Sequence, residues 1–120
     1  MHELSIALSL LEQVQDLARQ NRAERVSRIE LEVGILAQVE PEALSSAFEL
    51  AAEGTVAQGC DLAIVMKPAT LECRDCGQSF EGDGRNFACP KCHTASVSVK
   101  EGRDLILKSL SLELPEGVSK

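Results

Sequence analysis

The chain is 120 residues long and carries 19 Asp and Glu against 12 Lys and Arg, a formal charge of −7. That length allows one ordinary domain, or a small domain bearing a still smaller metal-stapled module. An acidic balance without basic clusters excludes a binder of phosphate backbones and suits protein partners and cations, and with aromatics at 2% the core has to be aliphatic.

In chain order, Leu4 to Ala18 reads as an amphipathic helix with Leu4, Ala7, Leu8, Leu11, Val14 and Ala18 on its core-facing stripe. Val26 to Leu36 then switches to period two. Ile29, Leu31, Val33 and Ile35 fall on one side, and Arg28, Glu30, Glu32 and Gly34 on the other, the pattern of a half-exposed strand. Pro41 opens a second helix, with Glu42 in its first turn, Leu44, Ala47, Phe48 and Ala51 facing inward, and Gly54 as its stop. Leu62, Ile64 and Met66 mark a second strand that continues through Pro68 to Cys73. Val97 and Val99 are extended, Gly102 is a turn, and Asp104 to Leu114 forms a long last strand with Leu110, Leu112 and Leu114 on one face. Leu105 and Leu107 have the opposite phase, which predicts a bulge or a strand buried on both faces. The sum is an α+β fold, two helices packed on a sheet of about three strands. It divides into 1–69 with 101–120 as the main domain and 70–100 as an inserted ribbon.

Four of the five cysteines form two Cys-x-x-Cys pairs, Cys73 with Cys76 and Cys89 with Cys92, separated by residues 77–88. Two such turns facing each other close a tetrahedral thiolate cage without an open position, the pattern of a structural zinc site. A redox dithiol needs only one pair, usually opening a helix, whereas Pro90 and the run 82–86 read as ribbon. No stretch approaches the ~18–20 apolar residues that cross a bilayer, and Met1-His2-Glu3 is not the start of an export leader. Reduced thiols in a cytoplasm are the expectation, which favours metal over disulfides. Cys60 reads as a small buried side chain at the start of a strand.

The start of the chain is a second candidate site. A histidine at position two is too large for methionine removal, so Met1 is expected to keep a free amine. Amine, amide nitrogen and the His2 imidazole then form fused chelate rings, donors that suit Ni(II) or Cu(II), and Glu3 adds an amide nitrogen or a carboxylate oxygen. The plainer alternative is a solvated residue ahead of the first helix, with Glu3 favourably placed at that helix's N-terminus.

Met1-His2-Glu3-Leu4-Ser5-Ile6-Ala7 resembles the opening of the HypA/HybF family, nickel metallochaperones of NiFe-hydrogenase maturation. So do Glu32-Val33-Gly34-Ile35-Leu36, Pro41-Glu42-Ala43-Leu44 with Ala47-Phe48-Glu49, Gly54-Thr55, Cys73-x-x-Cys76-Gly77, Cys89-Pro90-x-Cys92-His93 and the Leu105 to Leu112 strand, in order and spacing. The resemblance implies that Met1, His2 and Glu3 hold nickel, that Cys73, Cys76, Cys89 and Cys92 hold structural zinc, and that the metal passes to a hydrogenase large subunit, or in some organisms to urease. A GTPase of the HypB type is the implied partner, and whether two chains form a homodimer is open. No nucleic acid, membrane or catalytic activity is expected. A zinc-ribbon protein-interaction adaptor without nickel delivery is the competing reading. His93 either exchanges with a thiolate, swings toward the nickel, or is simply an exposed or sulfur-bonded knuckle residue. Glu40, Glu42 and Glu49 read as a docking face or as the wet side of a helix.

Overall fold

A computed structural model of the chain describes residues 3–82, 88–94 and 96–115. Its elements are α1 (Glu3–Gln20), β1 (Arg25–Gly34), a single 3-10 turn (Ile35–Ala37), α2 (Pro41–Ala51), β2 (Asp61–Lys67), β3 (Ala69–Cys73), β4 (Ser79–Gly82), β5 (Val97–Glu101) and β6 (Leu105–Glu113). The strands make two three-stranded sheets, β2-β1-β6 and β4-β3-β5. The two helices and the first sheet are the expected α+β arrangement. The chain falls into two compact units, one of residues 1–31, 39–64 and 107–120 and one of residues 32–38 and 65–106.

In the first unit α1 packs on α2. The buried stripe of α1 is Ala7, Leu10, Leu11, Val14 and Ala18, spaced three and four apart as one helical face requires. Leu4 and Leu8, expected in that stripe, are instead 56% and 51% exposed. They lie one column round the helix from the face that Leu10 completes. Helix α2 contributes Leu44 and Phe48, and β1 contributes Val26, Ile29 and Leu31, all closed off from solvent. Each such apolar side chain removed from water stabilises the unit by about 1.5–3 kcal/mol before chain entropy is counted. Burial alternates along β1 as period two demands. Beside it, Glu24 N–H donates to Glu113 C=O at 2.8 Å and Ser27 Oγ to Ser111 C=O at 3.2 Å, so β1 and β6 run antiparallel. Along β6, Lys108 and Ser109 are both exposed between half-buried Leu107 and Leu110. The phase therefore changes there, and no residue of the strand is fully buried.

The start of α2 is set by Glu40-Pro41-Glu42. The Glu40 carboxylate accepts the Glu42 N–H at 3.2 Å as an N-cap, and Pro41 occupies the first turn, where no N–H is needed. The helix ends at Ala51, and Gly54, at φ 77°, turns the chain three residues later.

In the second unit β3 pairs antiparallel with β4 and with β5, with a register shift between Thr70 and Leu71. Alternation buries Ala69, Leu71 and Cys73 on one side of β3. The expected single strand from Leu62 to Cys73 is two strands broken at Pro68, whose missing N–H cannot continue a ladder. Likewise Ile35 and Leu36, expected in the first strand, turn off it in the 3-10 segment. There Gly34 N–H donates to Asp104 C=O at 2.7 Å and Leu36 N–H to Gly102 C=O at 2.8 Å. Among the described residues no helix is long and apolar enough to cross a membrane.

Candidate metal centre

Strand β3 delivers Cys73 as its last residue, and the chain leaves it in a tight knuckle. Cys73 N–H donates to Gln78 C=O and Gly77 N–H donates back to Cys73 C=O, both at 2.9 Å. The second pair folds in the same way. Cys89 N–H donates to Thr94 C=O at 2.9 Å, and His93 N–H donates to Cys89 C=O at 2.7 Å. Each knuckle needs a left-handed residue directly after its second cysteine. Gly77 fills that position at φ 77° and His93 at φ 60°. Gly77 has no Cβ to crowd the turn, whereas His93 carries one. The equivalence of Gly77 and His93 was not apparent from the sequence, although both follow the second cysteine of a pair.

The knuckles bring the sulfurs of Cys73, Cys76, Cys89 and Cys92 within 4.8 Å of one another. Cys73 and Cys89 are buried, and Cys76 and Cys92 are exposed. The Cys76 and Cys89 sulfurs are 3.7 Å apart. A tetrahedron with metal–sulfur bonds of ~2.3 Å has edges of ~3.8 Å, so this spacing suits metal coordination, and it far exceeds the ~2.05 Å of a disulfide. The N–H groups of Lys91 and Cys92 point at the Cys89 sulfur, at 3.4 and 3.3 Å, and stabilise it as a thiolate. Burial works against charge on Cys89, but those two N–H groups and the neighbouring Cys76 and Cys73 thiols outweigh it and bring its pKa down to about 7. Cys92 is pushed up to about 12, first by the Cys76 side chain beside it, then by lost solvation and by Cys73. The shared cluster thus drives the two thiols apart, Cys89 toward thiolate and Cys92 toward thiol. Four thiolates at tetrahedral spacing fit a closed zinc or iron–sulfur site. His93 is exposed beyond this set.

Of the expected amino-terminal ligands, Met1 and His2 lie outside the described residues. Glu3 opens α1, and its carboxylate accepts the Glu40 N–H at 3.0 Å. That bond, first among several, holds the Glu3 carboxyl below the usual range. Glu40 therefore does more than wet a helix face: its carboxylate caps α2 while its amide anchors Glu3. The sequence signal was the Glu-Pro-Glu start of α2, which marks a cap, but nothing in it pointed to Glu3. Cys60 is half-buried, and burial followed by the neighbouring Asp61 charge raises its thiol pKa.

Comparison with known proteins gives this architecture a lineage. The profile of the family described as hydrogenase/urease nickel incorporation, metallochaperone, HypA, matches residues 1–112. Hydrogenase maturation factor HybF of Escherichia coli strain K12 is 45% identical over 113 residues, spanning 94% of this chain and all of the relative. Hydrogenase maturation factor HypA of Aquifex aeolicus is 40% identical over 114 residues, 95% of this chain and 99% of the relative. The solution structure of the Ni metallochaperone HypA from Helicobacter pylori superposes with a TM-score of 0.68 at 30% identity, covering 96% of this chain and 100% of that one. These relatives are maturation factors and metallochaperones, and the present protein is no more an enzyme than they are. With its two helices, its small sheets and its four-cysteine metal centre, the chain belongs to the HypA family of hydrogenase and urease nickel-incorporation metallochaperones.

Proposed function

We propose that this protein acquires Ni(II) at Met1, His2 and Glu3 in the cytoplasm and delivers it to the large subunit of a NiFe-hydrogenase, assisted by a HypB-type GTPase. The observation that carries this reading is a family match that begins at residue 1 and so includes the Met-His-Glu start. With Met1 as the terminal residue, its amine, the intervening amide nitrogen and the His2 imidazole supply nitrogen donors suited to Ni(II). A site with so few protein-fixed donors exchanges its metal. An affinity in the micromolar range, near −8 kcal/mol, serves a carrier better than a trap near −16 kcal/mol. The second metal, held by Cys73, Cys76, Cys89 and Cys92, is zinc in this proposal, and its role is to fold the second unit. Zinc there supplies charge and cross-linking, while the chain supplies four thiolates and the N–H groups that favour them.

The test is a Ni(II) titration of zinc-loaded protein without an amino-terminal tag, run beside His2→Gln. Gln is also too large for methionine removal, so only the imidazole is lost. About one nickel per chain in the parent and none in His2→Gln, with zinc retained in both, supports the proposal. Equal binding by both, or by neither, removes the terminal site and leaves the zinc-ribbon adaptor. Metal analysis of protein purified without added zinc tests the four-cysteine assignment directly.

A further inference from the structure

Helix α1 carries more apolar surface than its core needs. Leu4 and Leu8, one turn apart, are each more than half exposed although Leu10 and Leu11 complete the buried face. The column they begin continues at the same four-residue spacing into exposed Glu12 and Asp16. The side chains of the two helices' sequence ranges are rich in carboxylates. Residues 1–18 and 35–60, which include most of α1 and all of α2, hold seven Asp and Glu and no Lys or Arg. Glu3 and Glu40 meet at the heads of these two helices. Arg19, which pairs with Asp16, is the first Arg or Lys and comes only in the last turn of α1.

We propose that the first two turns of α1 are the docking surface for a second protein, whose contact face is apolar at its centre and rimmed with Lys or Arg. Burying Leu4 and Leu8 drives the contact, and the carboxylates around them select and steer a basic partner. A second copy of this chain is the wrong occupant, because it would set the same carboxylates against each other on molecules that each carry −7. This inference rests on the nickel reading for its purpose. A metal passed by ligand exchange requires the donor ligands and the accepting ligands to touch, so a recipient has to sit against the residues next to the site. Leu4 follows Glu3 directly. The leucines therefore place the recipient where the metal is held, without contributing a ligand.

The experiment measures the complex of the zinc-loaded protein with the nickel-free precursor of a NiFe-hydrogenase large subunit, for the parent and for Leu4→Ser/Leu8→Ser. Leu4→Ala/Leu8→Ala, which keeps helix propensity, serves as the second variant, and circular dichroism checks folding. The expected result is a parent complex that weakens several-fold as NaCl rises from about 50 to about 500 mM, and a loss of about tenfold or more in both double variants. Nickel bound per chain stays at the parent value. Parent affinity in the double variants, no complex in the parent, or a complex that tightens with salt overturns the proposal. So does a parent that sediments as a dimer and becomes monomeric on losing the leucines. If instead the parent binds no nickel, the nickel reading fails by itself, and the affinity of the complex still decides the docking surface.

Discussion

Gly34 lies against Gly102 so closely that a Cβ on Gly34 would stand 2.2 Å from the Gly102 carbonyl oxygen and 2.9 Å from the amide nitrogen of Arg103. Both obstacles are backbone, so neither can swing aside. Gly102 is confined in turn, at φ 137°, with Ala69 Cβ 2.9 Å from where its own Cβ would be. Gly34→Ala is expected to cost about 1–3 kcal/mol or more, because the strand has to move. Gly54→Ala, at positive φ but with nothing within 4 Å, is expected to cost about 1–2 kcal/mol through backbone strain alone. Denaturant midpoints of the two variants rank these effects, and an innocuous Gly34→Ala would refute the close crossing.

The matched knuckles make a second prediction. Gly77→Ala puts a Cβ into a left-handed turn and is expected to lose about 1–2 kcal/mol. His93→Gly relieves the same strain in the other turn. Its gain is reduced by the ~0.5–1 kcal/mol of added freedom in the unfolded chain, so stability should hold or rise by up to about 1 kcal/mol. Thermal melting of the zinc-loaded variants reads both. A large loss in His93→Gly with zinc still bound would mean that the imidazole itself supports the fold.

Metal binding to the four cysteines should release a number of protons that depends on pH in a stated direction. In the metal-free protein Cys89 ionises near 7, below the ordinary thiol value of 9.0, so its proton is present at pH 6 and gone by pH 8. Cys92, at about 12, surrenders its proton to the metal at either pH. Proton release on zinc addition, followed by pH indicator or by calorimetry in two buffers, is therefore expected to fall by close to one proton between pH 6 and pH 8. Stability follows the same sign: the Cys89 contribution is present above pH 9 and is lost as pH falls through 7. Equal release at both pH values would show that Cys89 is not the ready thiolate.

Glu3 offers a fourth test. Its carboxyl lies below the value of 4.5 chiefly because of the Glu40 N–H. A depressed carboxylate contributes stability that is in place above pH 4.5 and disappears as pH falls through the lowered value. Carbon-detected NMR should find the Glu3 carboxyl titrating below that of an exposed glutamate, and Glu40→Pro, which removes the N–H, should return it toward normal. The amide of Glu40 should also lose its downfield shift in Glu3→Gln if the carboxylate charge matters to the bond.

Much of this fold is written in local sequence pattern. Period-two alternation located β1, Pro41 opened α2, and the doubled Cys-x-x-Cys marked the metal centre, because each is a local pattern with one physical cause. The misplaced residues share a different character. Leu4 and Leu8 are as apolar as Leu10 and satisfy the same helical period, so no sequence rule says which column faces the core; the partner surface decides that. The break at Pro68 was written in the chain, but apolar residues resume beyond it at Ala69 and Leu71 and masked it. The bond from the Glu40 amide to Glu3 joins residues 37 apart and leaves no trace in local pattern. The left-handed His93 was hidden for the opposite reason: the residue that normally signals such a turn is glycine, and here the signal is missing while the turn remains.

Cys73 is at once the last residue of β3 and a member of the thiol cluster. A strand of only five residues has little of its own to say about how it is paired, and slipping it by one position would turn Leu71 out of the interior and aim the Cys73 sulfur the wrong way. A sulfur held by metal cannot slip. The centre thus acts as a registration mark from which the β4-β3-β5 sheet is counted, an inorganic bond at the end of one strand fixing the alignment of a hydrogen-bonded ladder.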